Sequence, residues 1–234
     1  LNRKSHYRDM IKSRLIIVIT ALFFGLTVYS SNDPTQGLYP GLTDDEVEKE
    51  KEIALMQLIY SALTEVHYNP LKLNDDFSSK AYGLYIERLD INKRFFIQDD
   101  IKELNKFEKE LDDQVRAGTF DLFAKAAALM DKRTEQAKEY YTEILSKPFD
   151  FTVKESFEAD AEKADWAKDT EEIRERWRKI LKYDAMARLA DKLDEQEKED
   201  FDGEKKTIEQ LEAEVRERIL ENYNNWYDRI LKLD

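Results

Sequence analysis

Residues 119–145 read TFDLFAKAAALMDKRTEQAKEYYTEIL, with neither glycine nor proline. This is the longest helical pattern in the chain. Its patch Ala124–Ala128 favours helix, and Pro148 ends it. Upstream, Ile101, Leu104, Phe107, Leu111 and Val115 form the stripe of a helix that starts at Asp99-Asp100 and closes on Gly118. Before it, Asn74 or Asp75 caps a helix carrying Phe77, Ala81, Leu84, Tyr85 and Leu89, and Asp90 to Gln98 is a short connector. Earlier still, Thr43 and Glu46 make a capping box. Val47, Leu55, Leu58, Ile59, Ala62, Leu63 and Val66 follow at helical spacing, with a stop near Asn69-Pro70. Downstream, Asp169 or Thr170 caps a helix with Ile173, Trp177, Ile180, Leu181 and Leu189. The charged segment Asp191–Glu204 is expected to bend or fray. Thr207–Leu233 is a last helix, with Ile208, Leu211, Val215, Ile219, Tyr223 and Trp226 on its apolar face. The expectation is an all-α fold packed from about six amphipathic helices, with an aromatic loop from Phe149 to Trp166.

Composition agrees. Among 234 residues there are 6 glycines, 4 prolines and no cysteine. No solenoid period and no sustained heptad is present. Without cysteine there is no disulfide, thiolate zinc site or cysteine nucleophile. The two histidines, His6 and His67, are too few and too far apart for a multi-histidine metal site. No GxGxxG or GxxxxGK[ST] string occurs. With 51 Asp+Glu against 38 Lys+Arg, the formal charge is -13. That balance argues against nucleic acid as the partner.

The charge is uneven. Arg3, Lys4, Arg8, Lys12 and Arg14 precede the apolar run Leu15–Leu26, LIIVITALFFGL. A basic region and a short apolar run are the parts of a secretory signal peptide. The run falls short of the ~20 residues of a membrane span, so a cleaved signal over residues 1–30 is favoured over an uncleaved anchor. Val28 and Ser30 fit the positions before a cut that leaves Ser31 first. Met10 is a possible true start. Residues 31–42, with Pro34, Gly37, Pro40 and Gly41, read as a linker. Residues 43–234 are the helical domain, expected to be exported.

Few residues suggest chemistry, and the residues themselves call for no cofactor. Ser61, Ser78, Ser79, Ser146 and Ser156 lie in no G-x-S-x-G elbow and are expected to be exposed helix serines. Ser79 and Lys80 diverge on a helix. Asp75-Asp76 and Asp99-Asp100 are expected at helix starts, where carboxylates meet free N–H groups. Asp112-Asp113 is a third acidic pair. His67 is expected to serve at a helix C-terminus. Phe149, Phe151, Phe157 and Trp166 are too aromatic for a solvated linker. They are either a structural staple or a docking surface, together with Trp226.

Three stretches resemble the N-terminal region of the carboxy-terminal processing peptidases, the tail-specific proteases. They are Leu89–Ile101 (LDINKRFFIQDDI), Leu145–Trp166 with its K-P-F-D-F core, and Glu175–Ala187 (ERWRKILKYDAMA). The first resembles a Leu-Asp-Pro-like turn, with Ile91 in place of the proline. The third resembles a W-R-x-x-x-K-x-D-A element. Order and spacing agree across most of Thr43 to Ala187. The resemblance implies a periplasmic serine endopeptidase that recognises protein substrates with apolar C-termini. In that family a helical domain precedes PDZ and catalytic domains, the latter with a Ser–Lys dyad. No position here matches those domains, so no catalytic residue carries over. The implied role is a platform that admits substrate tails, with the aromatic loop against the PDZ and catalytic domains of the same protein. The other reading is a free-standing envelope adaptor that binds a protein partner.

Overall fold

The structure, a computed structural model, describes residues 44–66, 72–198 and 201–230. The expected signal segment and linker, Thr43 of the capping box, His67, the Asn69-Pro70 stop and the end of the last helix at 231–233 lie outside the described residues. In chain order the helices are α1 (Asp44–Ser61, continued by a π turn, Ala62–Val66), α2 (Asp75–Leu89), α3 (Gln98–Leu104), a 3-10 turn (Asn105–Phe107), α4 (Leu111–Ala117), α5 (Asp121–Leu145), α6 (Thr170–Gln196) and α7 (Ile208–Ile230). The architecture is all-α. Among the described residues the sole extended pairing is an isolated bridge between Ile97 and Ala167. No helix among them is long and apolar enough to cross a membrane. The chain divides into two compact units, Leu1–Leu89 with Leu104–Lys125, and Asp90–Glu103 with Ala126–Asp234.

In the first unit, α2 is capped by Asn74, whose Oδ1 accepts from Phe77 N at 3.2 Å. Its buried face is Ser78, Ala81, Tyr82, Tyr85 and Ile86. Ser78 is fully buried rather than exposed. Its hydroxyl donates to Asp112 Oδ1 at 2.6 Å and accepts from Asp112 N at 2.9 Å. A small hydroxyl that both donates and accepts can be buried without an orphaned polar atom. The same bonds correct the expected single helix from Asp99 to Gly118. After Leu104 the amides of Glu108 and Glu110 bond three residues back, and α4 restarts with Gln114 N on Glu110 O. Tyr82 holds Asn105 through a 2.7 Å bond, and Ser78 supplies the acceptor for the first turn of α4. Asp112-Asp113 therefore also occupies a helix start. Gly118 closes α4 as expected, at φ 71°, and a Cβ there would meet Ile53 at 3.1 Å.

The stripe expected on α1 is corrected. Leu55, Leu58 and Val66 are exposed, and among the described side chains of α1 only Met56 is buried. The segment IALMQLIYSAL is apolar on more than one side, so spacing alone does not single out the inner face.

In the second unit, α6 starts on Asp169, which accepts from Glu171 N and Glu172 N at 3.0 and 2.9 Å. The helix stays regular through Asp191–Gln196, where fraying was expected, and Lys192 pairs with Glu214 of α7 at 3.3 Å. A reciprocal box between Thr207 and Gln210 opens α7. Its inner face is Leu211, Val215, Ile219 and Tyr227, while Ile208 is exposed. The core joins Tyr141 and Leu145 of α5 to Ile173, Trp177, Leu181 and Ala185 of α6 and to Val215 and Ile219 of α7.

Asp100 and Arg133 are 4% and 6% exposed. The carboxylate takes two bonds from the guanidinium, at 2.7 and 2.8 Å, and one from Ile97 N at 2.9 Å. It thus caps α3 and ties it to α5. Removing one partner of such a pair leaves a buried charge. Arg133→Met should cost about 3 kcal/mol in urea unfolding of the chain, whereas Lys102→Met, which loses only an exposed pair with Asp99, should cost less than ~1 kcal/mol.

Candidate functional site

The three stretches that carry the family resemblance fall in the second unit, except for Leu89, the last residue of α2, which belongs to the first. They meet around α6. The connector after α2 begins with Asp90, a buried residue whose carboxylate gathers three amides: Arg94 N at 2.8 Å, and Phe95 N and Phe96 N at 2.9 Å. Burial pushes this carboxyl above its ordinary range, and the three amides with nearby Arg176 pull it back. Lys93 takes a left-handed conformation, φ 48°. Its carbonyl, so turned, accepts from Arg176 at 2.8 Å, and the Arg94 carbonyl accepts from the Trp177 indole N–H at 2.8 Å. Ile91, where the family's proline was expected, is exposed. Its replacement takes no apolar group from the core.

Trp177 is the centre of an aromatic cluster. Phe95 meets it edge-on at 5.9 Å, Tyr223 edge-on at 5.4 Å, and Tyr141 lies at 6.4 Å. Trp226 stacks on Phe95 at 5.8 Å. Phe95 and Tyr141 were not singled out in the sequence. Phe95 sits in a connector without period, and Tyr141 is one aromatic among the many apolar positions of α5.

The remaining aromatics divide. Phe149 and Phe151, 6.1 Å apart, pack against the core. Glu212 of α7 accepts from Phe149 N at 3.0 Å and pairs with Arg216, which itself holds Leu145 O at 2.8 Å. Asp150 turns the chain by accepting from Thr152 N at 2.9 Å, and that hydroxyl and amide hold its carboxyl below the ordinary range. Trp166 packs on Phe96 at 6.3 Å, under the Lys93 ammonium. Phe157 meets Tyr183 of α6 edge-on at 5.9 Å. The five residues singled out beforehand therefore do not make one patch.

Residues 151–157 form a strap across α6. Glu155 reaches both Arg178 and Lys182, the latter at 2.5 Å. Lys182 also donates to Val153 O at 3.1 Å, and Lys179 to Ser156 O at 3.2 Å. Between strap and helix lies a groove of about 280 Å³, lined on the helix side by Lys179, Lys182, Tyr183 and Met186. Those four follow the spacing i, i+3, i+4, i+7, a second face of α6 that was present in the sequence and not singled out there. Of the serines, Ser78 is committed to Asp112, and Ser156 lies in the exposed strap. Among the described residues no three His, Asp or Glu side chains converge as metal ligands.

The molecule is thus a two-unit helical protein whose polar and aromatic clusters fix loops onto helices. Its second unit holds the segments that carry the resemblance, Leu89 apart. A family model described as the tail specific protease N-terminal domain matches residues 59–233. The tail-specific protease of Haemophilus influenzae is 31% identical to the chain over 170 residues, covering 70% of this chain and 24% of that protein. The chain belongs to the tail-specific protease N-terminal domain family, and it spans about a quarter of the curated relative it matches.

The strap tie gives a pH test. Arg178 and Lys182 hold the Glu155 carboxyl down, from 4.5 to about 2. A carboxylate lowered in the folded state stabilises it above the unfolded value and loses that stabilisation as pH falls toward the folded value. The thermal stability difference between the wild type and Glu155→Gln should be complete above pH 4.5 and shrink toward zero near pH 2.

Proposed function

We propose that this chain is the helical N-terminal part of an exported serine endopeptidase that trims or degrades proteins from their C-termini. The observation that carries the proposal is the family match over residues 59–233, together with a relative, named a tail-specific protease, of which the chain covers only 24%. In this reading residues 1–30 are a cleaved signal, 31–42 a linker, and 43–234 a platform beside PDZ and catalytic domains of the same protein. Catalysis, by a serine and a lysine, belongs to those other domains. The platform admits unfolded substrate tails with apolar C-termini. The compartment is the periplasm.

The use made of the buried polar groups supports a platform. The buried carboxylates of the second unit are each consumed by structure: Asp90 by backbone amides, Asp100 by Arg133, Glu212 by Arg216 and Phe149. A nucleophile needs a base within hydrogen-bond reach and a space beside it for the substrate. Ser78, the one fully buried serine among the described residues, has the Asp112 carboxylate within reach but no exposed surface beside it where a substrate could sit.

The test is to extend the reading frame past Asp234 and assay the product. The frame should continue into a PDZ-like segment and a serine motif with a lysine beyond. The extended protein should shorten a denatured substrate from its C-terminus, and the 234-residue chain alone should not. The mature protein should begin at Ser31. An immediate stop would instead favour the free-standing adaptor, and peptide hydrolysis by the chain alone would overturn the assignment of catalysis to other domains.

A further inference from the structure

We propose that the groove between the strap 151–157 and α6 is a docking site for an extended peptide segment of another protein, one that alternates apolar and acidic side chains. The inference goes beyond the protease reading and stands or falls separately from it.

The first observation is apolar exposure. Val153, Tyr183 and Met186 are 53%, 57% and 47% exposed, and all three line the one groove with Phe151 and Phe157. Large apolar side chains gathered at a concave surface, rather than scattered, mark a contact site. At about 280 Å³ the space takes a short run of side chains and not a folded element.

The second is charge. The charged residues of the groove are Lys154, Lys179, Lys182 and Glu155, in a protein of net charge -13. Glu155 is already engaged by Arg178 and Lys182. Lys154 has no ion pair among the described residues, and Lys179 has only a 4.0 Å approach to Glu175. An incoming carboxylate therefore meets one ammonium without an ion pair, Lys154, beside a second, Lys179, whose carboxylate partner is at the limit of pairing distance.

The third is the backbone. Among the described residues, none of the amide N–H groups of Lys154–Phe157 has an acceptor, and Lys154, Glu155 and Ser156 are exposed. An extended peptide offers free carbonyls to such a row, whereas a docked helix has spent its own. The same charge argues for a different protein as occupant. A second copy, itself at -13, would bring long-range repulsion to the encounter.

The test uses the full 234-residue chain and a fluorescent peptide, acetylated and amidated at its ends, that alternates leucine with glutamate. Anisotropy should show saturable binding that weakens with added salt. Lys154→Glu should weaken it about fivefold, and Met186→Glu should abolish it. Both positions are exposed, so circular dichroism should be unchanged. If Met186→Glu nevertheless disturbs the fold, Lys154→Glu and the salt dependence carry the test. Equal binding of the glutamine version of the peptide would overturn the proposal. So would binding that needs a free C-terminal carboxylate instead of glutamates. A dimer in sedimentation that Met186→Glu dissociates would place a second copy in the groove and would also overturn it.

Discussion

The carboxylate of Asp90 closes three backbone amides into one tight loop, and the rest of the second unit is arranged around that loop. Without it, the amides of Arg94, Phe95 and Phe96 would lose their acceptor, and a buried donor without a partner costs about 1–3 kcal/mol. The loop in turn presents the carbonyls of Lys93 and Arg94 to Arg176 and Trp177. That contact sets Phe95 against the indole and Trp226 against Phe95. It also starts α3 at the place where Gln98 N bonds Ala167 O at 2.8 Å and Asp100 meets Arg133. A change at Asp90 is therefore felt across α3, α6 and the aromatic cluster.

The residues by which the chain resembles tail-specific proteases are the residues of this device. The Leu-Asp turn supplies Asp90. The K-P-F-D-F stretch supplies the half-buried Phe149 and Phe151, fastened by Glu212. The tryptophan of the third stretch is the core residue Trp177, and its arginine and lysine, Arg178 and Lys182, hold the strap through Glu155. Their task in this domain is to fasten the connector after α2 and the strap 151–157 onto α6.

Much of this was legible in the sequence, and the exceptions have physical causes. The face of α7 could be read because polar residues separate Leu211, Val215 and Ile219 cleanly. The caps Asn74 and Asp169 and the closing Gly118 act within a few residues of themselves, so local pattern suffices. The α1 face could not be read, because its apolar residues surround the helix. The break between α3 and α4 was hidden for another reason. It depends on Ser78 and Tyr82, which lie 34 and 23 residues from their partners. The aromatic loop was visible as a loop, but its division into a core-packed pair, a groove-lining Phe157 and a Trp166 on Phe96 rests on long-range packing. Lys179, Lys182, Tyr183 and Met186 showed a helical period, yet only the strap across them turns that face into a groove.

A double-mutant cycle between Asp90→Asn and Trp177→Phe, read by chemical unfolding, tests this account most directly. Asparagine keeps the size of Asp90 but offers one acceptor oxygen in place of two. Phenylalanine keeps an aromatic ring but loses the N–H that holds Arg94 O. If loop and tryptophan are one device, the two losses overlap, and the double variant should be less destabilised than the sum of the singles by about 1 kcal/mol or more. Additivity within ~0.5 kcal/mol would mean that the loop and α6 are stabilised independently, and would contradict it.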